Sequence, residues 1–285
     1  MKIAFLGFDQ WQGKFNIGSS RIRCDWPIKY WQEAERFKQG RYYDVIIFQK
    51  AYWIDYAKTY KGIKILDICD PDWMEAGSRV IEMMQYVDAI TTSSIELAKA
   101  AVHFTNKPIW FIPDRIDLDS HRDRKEHTGR AKSVVWFGYS HNFPTLHQAT
   151  KPLIDLGLDL IVISDSPFHP AANFVNKIDI TNIAWGPNTV NRDILRGDIV
   201  INPKLSTGRF KFKSTNKTLT SWALGMPVVE NDKELKFFLE EKNRKDEAAK
   251  RLVEIKEKWD VKYSVEEYKK LINDLILKSH ETKIA

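Results

Sequence analysis

Between Asp198 and Glu230 the chain carries five cations, Lys204, Arg209, Lys211, Lys213 and Lys217, and no acid. The apolar run DIVINP ahead of them reads as a buried strand. Ser214, Thr215 and Asn216 are helix-entry residues, and Gly225, Met226 and Pro227 stop that helix before a second apolar strand. Unpaired backbone N–H groups at a helix start, the positive end of the helix dipole and several lysines together suit a phosphorylated ligand. The competing reading is a solvated basic loop on an ordinary α/β unit, because charge runs are commonly just solvated faces.

Two other stretches hold chemistry-bearing residues. In DICDPDW, residues 67–73, Asp70 and with it Asp72 follow a strand-like run, where a carboxylate could deprotonate a hydroxyl; the alternative is a turn that caps a helix beginning near Trp73. The segment FDQWQGKFNIGSSRIRCDWP reads as a long loop in which Arg21 and Arg23, if extended, point the same way and could clamp an anionic group. They could equally be surface arginines capping the next helix. Trp11 and Trp26 offer flat faces for a sugar ring or a base, or for packing. The seven histidines show no H-E-x-x-H spacing, and no G-x-S-x-G or phosphate-loop lysine motif is present.

The elements that must position these residues alternate along the chain. Strand-like runs at KIAFLG, DVIIFQ, KILDIC, AITTS and IWFIP are separated by helical stretches over 26–39, 76–85 and 95–104, which implies a parallel sheet flanked by helices. A polar stretch without apolar period, LDSHRDRKEHTGRAK, reads as a linker. A second series follows, with strands at SVVWFG, LDLIVIS, NIAWG, DIVINP and MPVVEN and helices over 144–156 and 191–196. The expected organisation is a Rossmann-like domain over 1–117, a linker over 118–132, a second Rossmann-like domain over 133–258, and a terminal helix over 259–285. Open α/β sheets bind ligands beyond the carboxyl ends of their strands, so the loops carrying Gly138, His141 and Asn142, then Ser164 to Ser166, then Trp185 to Asn188, are candidate ligand loops beside the basic one. Gly138 could also be only a tight turn, and Trp185 only a core aromatic.

The stretch KSTNK-x(5)-ALGMPVV after a DIVINP strand resembles the donor-binding region of GT-B glycosyltransferases, particularly the family 4-like enzymes. Weaker echoes are GSSRIR after the first strand, SIELA after AITTS, IPDRID before the linker and WFGYSHN opening the second half. The resemblance implies two Rossmann-like domains whose parallel sheets face across a cleft, with the terminal helix packing back on the first domain. It implies transfer of a sugar from a nucleotide-sugar donor to a hydroxyl acceptor. Gly138, His141, Asn142, Arg209, Lys213, Ser214, Thr215, Asn216 and Lys217 would hold the donor, and Lys217 would stabilise the departing diphosphate. Asp70 would act as the catalytic base, and Arg21, Arg23 and Trp11 would contact the acceptor. The family commonly places a ribose-binding Glu on this helix, where this chain has Thr220, so the resemblance does not assign the nucleotide. Asp70 and Asp72 spell the D-x-D by which GT-A enzymes bind a metal, but the cationic loop already supplies that charge. Neither metal nor cofactor is expected.

Composition bounds the rest. A chain of 285 residues, 43% hydrophobic and 12% aromatic, can bury two cores, and a net charge of +6 favours anionic partners. Cys24 and Cys69 are the only cysteines, so neither a disulfide framework nor a four-thiolate metal site is available. Without a stretch of about 20 apolar residues, no transmembrane segment is expected, and the setting expected is cytoplasmic. The acceptor stays open among a sugar, a lipid-linked sugar, a small molecule and DNA. The alternatives to an ordinary glycosyltransferase are one acting on hydroxylated DNA bases, a nucleotide-sugar epimerase, and a non-catalytic nucleotide-sugar binding protein.

Overall fold

A computed structural model describes residues 1–284 other than Asn16 and Ala76, with side chains to residue 278. The chain forms two compact units: Met1–Arg115, Thr207–Thr215 and the segment from Asp260 onward make the first, and Ile116–Ser206 and Asn216–Trp259 the second.

The first unit is built on a six-stranded parallel sheet. Its strands are β1 (Ile3–Gly7), β2 (Ala34–Arg36), β3 (Val45–Gln49), β4 (Ile63–Ile68), β5 (Ala89–Thr92) and β6 (Ile109–Phe111), in the order β2-β1-β3-β4-β5-β6. Because successive side chains leave opposite faces, these apolar runs feed two cores. Ala4, Leu6, Ile46, Phe48 and Leu66 pack with Val80, Met83 and Met84 of the helix Ser78–Gln85. Ile3, Phe5, Val45, Ile47 and Ile65 pack with Val265, Tyr268, Leu271 and Ile272 of the helix Val261–Ile284. Each such side chain contributes roughly 1.5–3 kcal/mol by leaving water, enough to hold the terminal helix on this sheet.

Residues 8–12 and 18–27 are helical where a long loop is expected. Helices Phe8–Gln12 and Gly18–Ser20 lead into a π-helical turn, Arg21–Asp25, and the short helix Trp26–Lys29. The buried Gln49 side chain organises their start: its Oε1 accepts from Phe8 N (3.1 Å) and Ser20 Oγ (3.0 Å). The helix expected over 26–39 stops at Lys29, and β2 follows, a strand whose AER sequence carries no apolar alternation. Of the helix expected over 76–85, Ala76 lies outside the described residues.

The second unit has a five-stranded parallel sheet: β7 (Ser133–Phe137), β8 (Asp159–Ser164), β9 (Ile180–Ala184), β10 (Ile199–Ile201) and β11 (Val228–Val229), ordered β11-β10-β7-β8-β9. Val134, Trp136, Leu160 and Val162 face one core with Leu146, Leu153 and Leu235. Val135, Phe137, Ile161 and Ile163 face the other with Ile194, Leu224 and Met226.

The stretch 118–132 is not a free linker. Lys125 N donates to Leu224 O (2.8 Å), His127 Nε2 donates to Gly225 O (2.8 Å), and Ala131 N donates to Leu239 O (2.9 Å). Arg244, fully buried, donates to the carbonyls of Phe238, Leu239 and Gly129. The polar composition of 118–132 hides this role because its partners lie about 70 to 115 residues further along the chain.

A buried ion network ties the first unit together. Arg23 Nε and Nη2 grip Asp67 at 3.0 and 2.5 Å, and Arg23 Nη1 reaches Asp114 at 3.2 Å. Asp67 also accepts from Thr91 Oγ1 (2.6 Å) and Tyr268 OH (3.1 Å). Burial opposes the charge on Arg23, but Asp67, Tyr268 and Asp114 together hold its pKa above the ordinary arginine value. Replacing Arg23 by Met would strand two buried carboxylates, and the expected loss is about 3–5 kcal/mol of stability. Denaturant unfolding checks this; an R23M midpoint equal to that of the parent contradicts it.

Candidate functional site

Chain order in both sheets reverses at one gap, and the loops beyond the strand ends flanking that gap diverge, leaving a crevice where ligands bind. In the second sheet the gap lies between β7 and β10; in the first it lies between β1 and β3.

At the end of β7, Gly138 has φ +149°, a conformation that favours glycine. A Cβ there would lie 2.6 Å from Lys217 Nζ and 2.8 Å from Lys217 Cε, so a side chain at this position would push the lysine from its place. Lys217 stands in the first turn of the helix Asn216–Ala223, with its ammonium 4.2 Å above the ring of the buried Trp136. Beside it, Asn216 Nδ2 is enclosed with no hydrogen-bond partner. Neighbouring loops are locked: Ser164 Oγ donates to Gly138 O (2.7 Å), and Asp165 accepts from Ser140 N (2.7 Å) and Ser140 Oγ (3.0 Å). His141 stacks on Tyr139, with ring centroids 5.7 Å apart, and Asn142 closes the 3-10 turn Ser140–Asn142. Trp185 packs against the apolar core around Val135 and Ile163. An ammonium, helix-start N–H groups and an unpartnered amide donor are groups whose chemistry suits an anionic ligand.

The rest of the basic loop is placed otherwise than expected. Residues 207–215 belong with the first unit. Lys213 Nζ binds Asp70 Oδ1 at 3.0 Å, Arg209 Nη1 is paired with Glu75, and Ser214 hydrogen-bonds Asp114. Ser94 Oγ donates to Phe212 O (3.0 Å), and the Phe212 ring is buried edge-on against Trp73. Thr215 is exposed at the end of this segment. Of the expected KSTNK cluster, Asn216 and Lys217 remain with the Gly138 loop. Sequence contiguity could not reveal this, because the carboxylates that hold the loop are more than 90 residues away along the chain.

At the switch point of the first sheet lies a pocket of about 350 Å³, lined by Phe8, Trp11, Gln12, Lys50, Tyr52, Asp72, Glu75 and Arg79. Lys50, held at φ +52°, lies between two carboxylates, 2.8 Å from Asp70 Oδ2 and 3.2 Å from Asp72 Oδ1, with its ammonium 5.2 Å from the Phe8 ring centroid. Tyr52 OH donates to Asp72. An ammonium thus occupies the place between the two D-x-D carboxylates. Burial raises the pKa of Asp70, but Lys50 and Lys213 outweigh it and hold the carboxyl at about 2. Such a group is a weak proton acceptor, which corrects its expected role as catalytic base. Asp72 has the opposite balance: burial, aided by Asp70, raises its pKa despite Lys50 and Tyr52. Asp72 lines the pocket.

Trp11 lines the same pocket, with its ring 5.9 Å from Trp53. Arg21 sits on the π-helical turn and is not among the residues that line the pocket. Arg23 is 3% exposed in the Asp67 network, so it cannot contact an acceptor. The expectation that both arginines point the same way assumed extended backbone, whereas the π-helix turns them apart. Asp72 is legible in the D-x-D of DICDPDW, whereas Lys50 and Tyr52 carry no motif and their only sequence signal is a position just past an apolar strand.

No protein-family profile and no curated relative matches the chain. Solved structures do. HepE from Anabaena, crystallised with UDP-glucose, superposes with a TM-score of 0.66 at 12% identity, covering 96% of this chain and 100% of its own. The DNA-modifying β-glucosyltransferase superposes with a TM-score of 0.56 at 14% identity, covering 95% and 99%. TarM gives 0.57 at 12% identity over 80% of this chain, which spans only 54% of TarM. At these identities the likeness establishes the fold: two parallel-sheet Rossmann-like domains of GT-B type.

The low pKa of Asp70 sets a pH window. A carboxyl held near 2 when folded and near 4 when unfolded contributes about 2 kcal/mol, fully present above pH about 4 and lost as pH falls toward 2. Asp70→Asn should therefore be less stable than the parent at pH 7 and converge with it near pH 2. A stability gap that does not change with pH would contradict the ion-pair geometry.

Proposed function

We propose that the protein is a glycosyltransferase that moves a sugar from a nucleotide-sugar donor to a hydroxyl acceptor. The observation that carries this reading is Lys217 held over Gly138 at the switch point of the second sheet, beside the unpartnered amide of Asn216. Its fold likeness to HepE, a protein crystallised with UDP and with UDP-glucose, supports a nucleotide-sugar donor.

As the bond from sugar to diphosphate breaks, negative charge grows on the leaving group. Lys217 and the helix N–H groups stabilise that charge more in the transition state than in the ground state, which is what accelerates the step. Cations from the chain supply this charge, so the reaction proceeds without a metal. The acceptor occupies the pocket of the first unit, where Trp11 and Phe8 cover its apolar face and Asp72 takes the proton from its hydroxyl. Among the described residues no helix is long and apolar enough to cross a membrane. A cytoplasmic setting, where nucleotide sugars are made, belongs to this reading.

A second reading, transfer to hydroxylated DNA bases, is favoured by the likeness to the DNA-modifying β-glucosyltransferase and by the net charge of +6. The two separate on salt: DNA binding loses about 0.9 log units of affinity per log of salt for each phosphate neutralised, and a small acceptor shows no such slope. Undetectable binding of duplex DNA at low salt removes the second reading.

Lys217→Ala should fold normally, weaken donor binding in a thermal-shift screen of nucleotide sugars, and lower kcat by about 10²–10³. A K217A variant that turns over donor like the parent sinks the assignment. Activity should also persist in EDTA. Loss in EDTA with recovery on adding manganese would make Asp70 and Asp72 metal ligands instead.

A further inference from the structure

The pocket of the first unit has two half-buried aromatic walls, Phe8 and Trp11, and at about 350 Å³ it lies at the small end of ligand cavities, which run from about 300 to 1,000 Å³. It therefore takes one ring and its substituents. Flat apolar walls suit the C–H face of a sugar ring, and the Gln12 amide, the Tyr52 phenol and the Asp72 carboxylate are groups that bond hydroxyls. The lining side chains that carry charge are Lys50, Asp72, Glu75 and Arg79. Lys50 lies between Asp70 and Asp72, and Glu75 is paired with Arg209. Arg79, in the first turn of the helix Ser78–Gln85, differs: among the described residues its guanidinium has neither an ion pair nor a hydrogen bond. The acids three and four residues away are taken by other cations, Glu82 by Lys58 at 3.3 Å and Glu75 by Arg209. Arg79 is exposed, so its unpaired charge costs the fold little and a ligand can reach it.

We infer that the acceptor is a sugar ring carrying an oxyanion group, a carboxylate or a phosphate, and that Arg79 is the residue that selects it. That the ligand is an acceptor rests on the glycosyltransferase reading; the preference for an anion rests on how the pocket's charges are paired. A cationic ligand would have to take Asp72 from Lys50 or Glu75 from Arg209, breaking one ion pair to form another. A neutral ligand leaves Arg79 with water as its partner. An oxyanion supplies the missing counter-charge and leaves every existing pair intact. The planar guanidinium also offers parallel N–H donors that match two oxygens of a carboxylate or phosphate. Repulsion by the nearby acids is offset, because Asp70, Asp72 and Glu75 already face Lys50, Lys213 and Arg209, and Arg79 is the cation left over.

The test is isothermal titration of the full chain with glucose, galactose and mannose, each as the neutral sugar, the uronate and the 6-phosphate. In at least one configuration an anionic form should bind about three- to tenfold more tightly than the neutral sugar, the size of one partly exposed charged contact. Whether the uronate or the phosphate gains more tells the two oxyanions apart. Arg79→Gln should abolish the difference while leaving the neutral sugar's affinity and the unfolding midpoint unchanged. Arg79→Lys, which keeps the charge but loses the fork, should retain part of it. Lys61→Gln, which removes the same charge from an exposed residue outside the pocket lining, should change nothing. Equal binding of neutral and anionic forms, a preference that survives R79Q, or no binding of any of these sugars overturns the inference. The reading beneath it has its own readout, transfer from a nucleotide sugar to the added sugar. Transfer to neutral and anionic sugars alike, unchanged in R79Q, sinks the anion preference and leaves the glycosyltransferase reading intact. Arg79-dependent binding without transfer from any nucleotide sugar upholds the anion preference of the pocket and sinks the glycosyltransferase reading.

Discussion

Asp67 is the group on which the first unit depends. Its carboxylate is fully buried at the end of β4, where an unpaired charge would be prohibitively costly, so every neighbour must supply a donor. Arg23 comes from the π-helical turn, Thr91 from β5 and Tyr268 from the terminal helix. Four segments far apart in sequence are thereby fixed to one another. The π-helical turn itself has a reason in this constraint: it turns Arg23 inward to the sheet, and a functional reading of that arginine as an acceptor contact gives way to a structural one.

With the sheet so fixed, the ends of β1 and β3 hold their loops in place. Lys50 occupies a left-handed backbone conformation, uncommon for a residue with a side chain, and its ammonium is claimed by two carboxylates. The consequence is a division of labour between two acids only two residues apart. Asp70, facing two ammoniums, is locked as an anion; Asp72, more deeply buried and bonded by Tyr52, is easier to protonate. The same residue type thus acquires two chemical characters from its surroundings, which is how one site obtains both a charge anchor and a proton acceptor.

In the second unit a cation is seated on an aromatic ring. The acid-free sequence from Ile199 to Val229 keeps carboxylates out of the neighbourhood along the chain, and the Lys217 ammonium lies 4.2 Å from the centre of the Trp136 ring. Arg209 and Lys213 sit in the same acid-free run yet find Glu75 and Asp70 in space. Local absence of acid therefore describes the field along the chain, while the three-dimensional neighbourhood decides which partner each cation meets.

Apolar runs at intervals along the chain marked by themselves the strands of both sheets other than β2, since burial on both faces demands such runs whatever the tertiary details. The same local logic marked Lys217 and Asn216, because a cationic helix entry after a strand is a short-range arrangement, and Gly138, because a strand-to-helix turn at a switch point requires glycine there. What the sequence left undetermined was every feature that depends on partners distant along the chain. The AER strand β2 has no apolar period and exists because Ile3, Ala4 and Phe5 pair with it. The polar stretch 118–132 packs through backbone hydrogen bonds. Arg23 became a core residue, Asp70 an anchor, Asp72 the pocket acid, and residues 207–215 a part of the first unit, in each case because a charge is assigned its role by the counter-charge that folding brings beside it.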